Sequence, residues 1–150
     1  AAAIWRIDPA FIKTSVPILI EAIERPPKDS GYPSYYLSNT LGEIGSPAKE
    51  ALPVLRRVFD RPDDFGRWVA ASAICRIDPA QTAAVLPEMI RALEDPAGTS
   101  RGGVAFGLGE MGPIAINAVQ ALTAALTDDD PNLKVQAARA LEKIAPGARR

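Results

Sequence analysis

The chain has 150 residues, 47% hydrophobic and 23% charged, a balance that excludes a disordered or low-complexity polymer. Its 17 basic and 18 acidic residues leave a net charge of −1, so no whole-molecule field would draw in nucleic acid or an anionic membrane. The absence of histidine removes the commonest metal ligand and general base, and a single cysteine excludes an internal disulfide framework.

Taken in order, the chain repeats itself. Residues 1–10 read AAAIWRIDPA and residues 71–80 read ASAICRIDPA, with weaker copies at 38–47 (SNTLGEIGSP), 105–114 (AFGLGEMGPI) and 138–147 (ARALEKIAPG). The first large apolar residue of each copy, Ile4, Leu41, Ile74, Leu108 and Leu141, follows the last at offsets of 37, 33, 34 and 33 residues. A fixed period of this length marks stacked repeats, each contacting its neighbours. The units fall at about 1–31, 32–64, 65–98, 99–131 and 132–150, in one array. The first copy begins partway through its unit and the last stops just after its anchor, so the chain is expected to be a piece of a longer array with open ends.

Each unit carries two segments of helical spacing, here called A and B. The A segments run Tyr35 to Ile44, Arg67 to Ile77, Arg101 to Met111 and Leu133 to Ile144. Their many small residues, such as Ala70, Ala71, Ala73, Gly102, Gly103 and Gly107, let helices lie close together. The glycines cost the A helix of the fourth unit, Arg101 to Met111, about 1 kcal/mol each relative to alanine, so it is expected to be the softest. The B segments share a phrase, VPILIEAIE at 16–24, LPVLRRVFD at 52–60, LPEMIRALE at 86–94 and VQALTAALT at 119–127. Its expected core positions are Val16, Leu19 and Ile23; Leu52, Leu55 and Phe59; Leu86, Met89 and Leu93; and Val119, Leu122 and Leu126. Pro17, Pro53 and Pro87 stand second in the phrase, so each B helix should begin near its proline or bend there. Asp-Pro and Pro-rich turns join the units, the first of them (ERPPKDSGYPS) the longest. Arg67, Arg101 and Lys134 share an aligned position and are expected to bridge to the turn before them.

These tandem anchors, paired helices, B-helix prolines and Asp-Pro turns resemble the short HEAT-like repeats of the phycobilin-lyase type, over almost the whole chain. The alternative is a tetratricopeptide-like solenoid, which matches in length but not in its fixed Trp, Leu-Gly and Tyr positions, and the ankyrin TPLH signature is absent. The resemblance implies an all-α fold, a right-handed α-solenoid of about four to five two-helix units with B helices lining the concave side. It implies a non-catalytic protein-binding scaffold, with an accessory role in bilin attachment as the alternative. The iron-dependent hydroxylases of that family use His-Glu pairs, which this chain lacks. DNA-lesion recognition, known among distant relatives, is disfavoured by the near-neutral charge.

No local cluster reads as catalytic. Trp5 and Trp68 hold different repeat positions and read as packed aromatics, and Cys75 as a buried thiol. Gly42-Glu43-Ile44-Gly45 and Gly107-Leu108-Gly109 read as helix ends, since no strand precedes them and no Lys-Ser/Thr follows. Asp128, Asp129 and Asp130 read as capping residues rather than a Ca²⁺ loop. The exposed B columns are more informative: Arg56, Arg57 and Arg91 form a basic strip edged by Glu24, Asp60 and Glu94. Arg and Tyr are frequent at interface hot spots. The expected partner contacts are therefore Arg56, Arg57 and Arg91, with Tyr32, Tyr35 and Tyr36 at the inserted turn. Ion pairing between units is the competing reading of the strip. No catalytic residue, metal or cofactor is expected. The expected partner is a protein, with neither nucleic acid nor membrane, and self-association through the open ends is a further expectation. The lack of a signal-peptide pattern or a transmembrane-length apolar run points to the cytoplasm.

Overall fold

A computed structural model describes residues 9–26, 33–62 and 66–147. Ile4, Trp5, Tyr32 and most of the first long turn lie outside the described residues. Within them the chain is all-helical: α1 Pro9–Glu24, α2 Pro33–Ile44, α3 Leu52–Phe59, α4 Arg67–Ile77, α5 Thr82–Glu94, α6 Arg101–Met111, α7 Val119–Ala125 and α8 Pro131–Ile144. Among the described residues no helix is long and apolar enough to cross a membrane.

The A segments form α2, α4, α6 and α8, within two residues of the expected bounds. Each packs on the next, α2 on α4, α4 on α6 and α6 on α8, making one row. The B segments form α1, α3, α5 and α7, which meet more thinly, α1 with α3 and α5 with α7. The core lies between the rows. The anchors Leu41, Ile74, Leu108 and Leu141 are all buried, as are Val16, Ile23, Leu55, Phe59, Leu86, Met89, Leu93 and Leu122. Leu19, Leu52, Val119 and Leu126 are partly buried against that core. Val54, Val58 and Val85 join it from B positions the shared phrase did not single out.

Two kinds of junction alternate along the chain. Helices α2 and α6 end on Gly45 (φ 72°) and Gly112 (φ 59°), in backbone regions that side chains with a Cβ rarely adopt. Each is followed by a 3-10 stretch, Ser46–Ala51 and Gly112–Ala118, broken at Ala48 and Ala115, before a short B helix. Helix α4 ends instead on Asp78, whose carboxylate accepts from the Ala80 N–H at 3.3 Å before Pro79–Gln81 leads into the longer α5. Gly45 and Gly112 stand 67 residues apart, as do Ala48 and Ala115, so the regular register spans pairs of units.

The prolines separate accordingly. Helix α3 begins one residue before Pro53, whereas α1 and α5 run through Pro17 and Pro87. All three rings lie on exposed positions; Pro53 stands in a first turn and breaks no helical bond, whereas the carbonyls that Pro17 and Pro87 leave without a donor can meet water. The glycines of α6 also differ from expectation: Gly107 and Gly109 lie inside the helix, and its end is Gly112. Gly107 is there because α4 comes so close. A Cβ on it would sit 2.6 Å from the Trp68 carbonyl oxygen. Asp130 caps α8, accepting from the Asn132 N–H at 2.8 Å, and Asp128 accepts from the Asp130 N–H at 3.0 Å.

Candidate functional site

Close approach of the row-A helices leaves an open groove of ≈ 460 Å³ across their N-terminal halves. It is lined by Tyr35 and Tyr36 from α2, Trp68 and Val69 from α4, Gly103 and Phe106 from α6, and Asn132, Gln136 and Arg139 from α8. At one end Tyr36, 68% exposed, meets Tyr35 edge-on with ring centroids 5.0 Å apart. Tyr35 in turn reaches Phe106 at 5.6 Å. Trp68 is only 6% exposed: its indole N–H donates to Ser100 Oγ at 3.2 Å, its ring packs edge-on against Phe59, and the Arg67 guanidinium lies 4.4 Å above it. The packed reading of Trp68 therefore holds, with the groove beside it.

The other end is polar. Asn132, Gln136 and Arg139 recur at helical i, i+4 and i+7 spacing, which puts them on one face of α8. Gln136 Oε1 is buried and accepts no hydrogen bond. Arg139 is exposed and has no ion-pair partner among the described residues. The acid that borders the aromatic end, Glu110, is paired with Lys143, whose ammonium also lies 5.6 Å from the Phe106 centroid. Burial, and then the charge of Glu110, push the Tyr35 hydroxyl up, so it is a neutral donor near pH 7.

The row-B cations stand apart from this groove. Arg57 on α3 is ion-paired with Glu24 on α1, 33 residues earlier. Arg56 pairs with Asp60 at 3.1 Å and lies over the Phe59 ring. Arg91 on α5 is exposed, with no ion pair among the described residues. Tyr35 and Tyr36 thus share a site with each other but not with the arginines, and Tyr32 lies outside the described residues. Of the expected bridges, Arg101 donates from Nε to the Leu93 carbonyl at 2.8 Å and pairs with Asp128 at 2.7 Å. Arg67 instead faces Glu88 at 3.6 Å, and no such bridge is present for Lys134 among the described residues.

Chemically the groove offers a guanidinium, two carboxamides, phenols and aromatic faces, groups suited to hydrogen bonding and stacking. Cys75, the one thiol, is fully buried and pushed up to about 11 by that burial, which leaves it inert near neutral pH. Among the described residues no group of acidic or thiol side chains could hold a metal ion.

Of the groove-lining residues, the sequence singled out Tyr35 and Tyr36 but not Phe106, Gln136 or Arg139. The available signal was the two-unit register: Tyr35 and Tyr36 occupy the positions that Gly102 and Gly103 hold 67 residues later, so positions that carry rings in one unit carry no side chain in another. No known family, curated protein or solved structure matches the chain.

Proposed function

We propose that the chain is a non-catalytic protein-interaction scaffold, an α-solenoid of HEAT-like units. Neighbour-to-neighbour packing of the row-A helices and the recurrence of anchors, glycine ends and 3-10 junctions at fixed intervals support that architecture. The observation that carries the function is the row-A groove, a surface made by stacking successive helices and furnished with groups that bind. The row-B face, with Arg56, Arg57 and Arg91, is a second contact surface. Exposed pairs such as Arg57–Glu24 contribute little to stability, so a partner's carboxylates can exchange with them at small cost. Contact between copies is a further reading, supported by the exposed Phe11 and Ile18 of α1 and Val135 of α8.

A photo-reactive phenylalanine analogue placed at Tyr36, and separately at Arg91, tests the reading in extract from the source organism. Discrete protein adducts at either position support a scaffold and say which surface is used. Absence of adducts at both positions contradicts it. Sedimentation at rising concentration tests contact between copies, which a strict monomer would rule out.

A further inference from the structure

We propose that the row-A groove docks an extended acidic segment of a partner protein, holding a bulky apolar side chain between Tyr36 and Phe106 and an Asp or Glu against Arg139. The inference rests on the interaction-scaffold reading and names the chemistry of the partner.

Three features of the groove converge on such a segment. The first is length. Packed helices lie about 8–10 Å apart, so a groove drawing on four of them in a row extends roughly 25–30 Å. A strand-like chain rises about 3.3 Å per residue, and some eight residues would span it. The second is the amide pair. Asn132 and Gln136 lie one turn apart on the same face of α8, and both line the groove. A peptide main chain supplies N–H and C=O groups at regular intervals, which is what a carboxamide ladder can read.

The third is charge. Arg139 continues the face of Asn132 and Gln136 and has no ion-pair partner among the described residues, while the nearby Glu110 is already neutralised by Lys143. Arg139 therefore offers the polar end of the groove an exposed guanidinium outside any ion pair among the described residues, which a carboxylate can pair with. The opposite end presents the exposed Tyr36 ring beside Tyr35 and Phe106, a wall that favours an aromatic or large aliphatic side chain. Gly103 keeps the floor open between the two ends: it is exposed, and a Cβ there would meet only Trp68 Cδ1, at 3.5 Å.

The test uses fluorescein-labelled decapeptide pools with a fixed Phe and a fixed Glu at varied separation, and matched pools with Lys in place of Glu. Binding to the whole chain is read by anisotropy, and the bound peptides are sequenced. The Phe/Glu pool is expected to bind at least about tenfold more tightly than the Phe/Lys pool. Gly103→Leu fills the floor from a position with room for a side chain and in a helix that gains by losing glycine. It is expected to weaken binding by about tenfold or more without lowering the melting temperature. Arg139→Glu is expected to reverse the preference towards the Phe/Lys pool. Binding that survives Gly103→Leu, or an acidic preference that survives Arg139→Glu, overturns the inference. If the preference is instead lost in Arg57→Glu/Arg91→Glu and kept in both groove variants, the groove inference falls while the scaffold reading stands. If neither pool binds, the groove inference also falls, and the cross-linking of whole proteins separately decides the scaffold reading.

Discussion

Tyr35 at the start of α2 stacks on Phe106 in α6, with ring centroids 5.6 Å apart, although all of α4 separates the two helices along the chain. The contact joins helices that are not neighbours in the row. Gly107 lets α6 close on α4 and so brings the two rings within reach. A double-mutant cycle of Tyr35→Ala and Phe106→Ala should therefore give a coupling of about 0.5–1.5 kcal/mol in urea unfolding. Strict additivity would show that the rings do not meet.

The glycines of α6 should not behave alike. Gly107→Ala gains helix propensity but drives a Cβ to within 2.6 Å of a backbone carbonyl, so a net destabilisation of about 1–3 kcal/mol is expected. Gly103→Ala meets only an ordinary contact at 3.5 Å and should stabilise by about 0.5–1 kcal/mol. Thermal melts of the two variants should move in opposite directions. Equal shifts would place the α4–α6 contact elsewhere.

The ion pairs divide by burial. Arg57 and Glu24 are both about half exposed, and Arg57→Ala should cost no more than about 1 kcal/mol. Arg101 is only 16% exposed, pairs with Asp128 and donates to the Leu93 carbonyl, so Arg101→Ala should cost about 1–3 kcal/mol. Denaturant midpoints check the ranking, and a larger loss at Arg57 would reverse it.

Acid should act partly through Asp128. Its carboxylate is held below the usual range, first by the Asp130 N–H and then by the Arg101 guanidinium. A depressed folded-state value means that its contribution is present above the unfolded value of about 3.9 and is lost as pH falls through the folded one. Below about pH 4 the wild type should lose stability more steeply than Asp128→Asn. Parallel pH profiles would show that the carboxylate makes no such contribution.

The repeat was readable because burial follows periodicity. Leu41, Ile74, Leu108 and Leu141 had to be buried wherever the helices packed, and Leu55, Phe59, Met89 and Leu93 followed from the shared B phrase. The helix ends were less legible. Gly109 and Gly112 look alike in sequence, but only Gly112 takes a positive φ, while Gly109 is small because Ala140 Cα would lie 3.0 Å from its Cβ. The groove was least legible. Apolar patterns report which face is buried, whereas Tyr35 meets Phe106 through the spacing between helices, which small residues set and no single segment encodes. The row-B strip was open to two readings in sequence, contact surface or ion pairing between units, and Glu24 and Arg57 do pair across units.

The most direct test labels Trp68 with 5-fluorotryptophan in a Trp5→Phe background, so that the one fluorine lies beside the groove floor. Titration with a peptide selected from the Phe/Glu pool should shift the ¹⁹F resonance saturably, and its Lys-for-Glu counterpart should leave it in place. A resonance unmoved by a peptide that nonetheless binds, or moved equally by both peptides, would contradict the account.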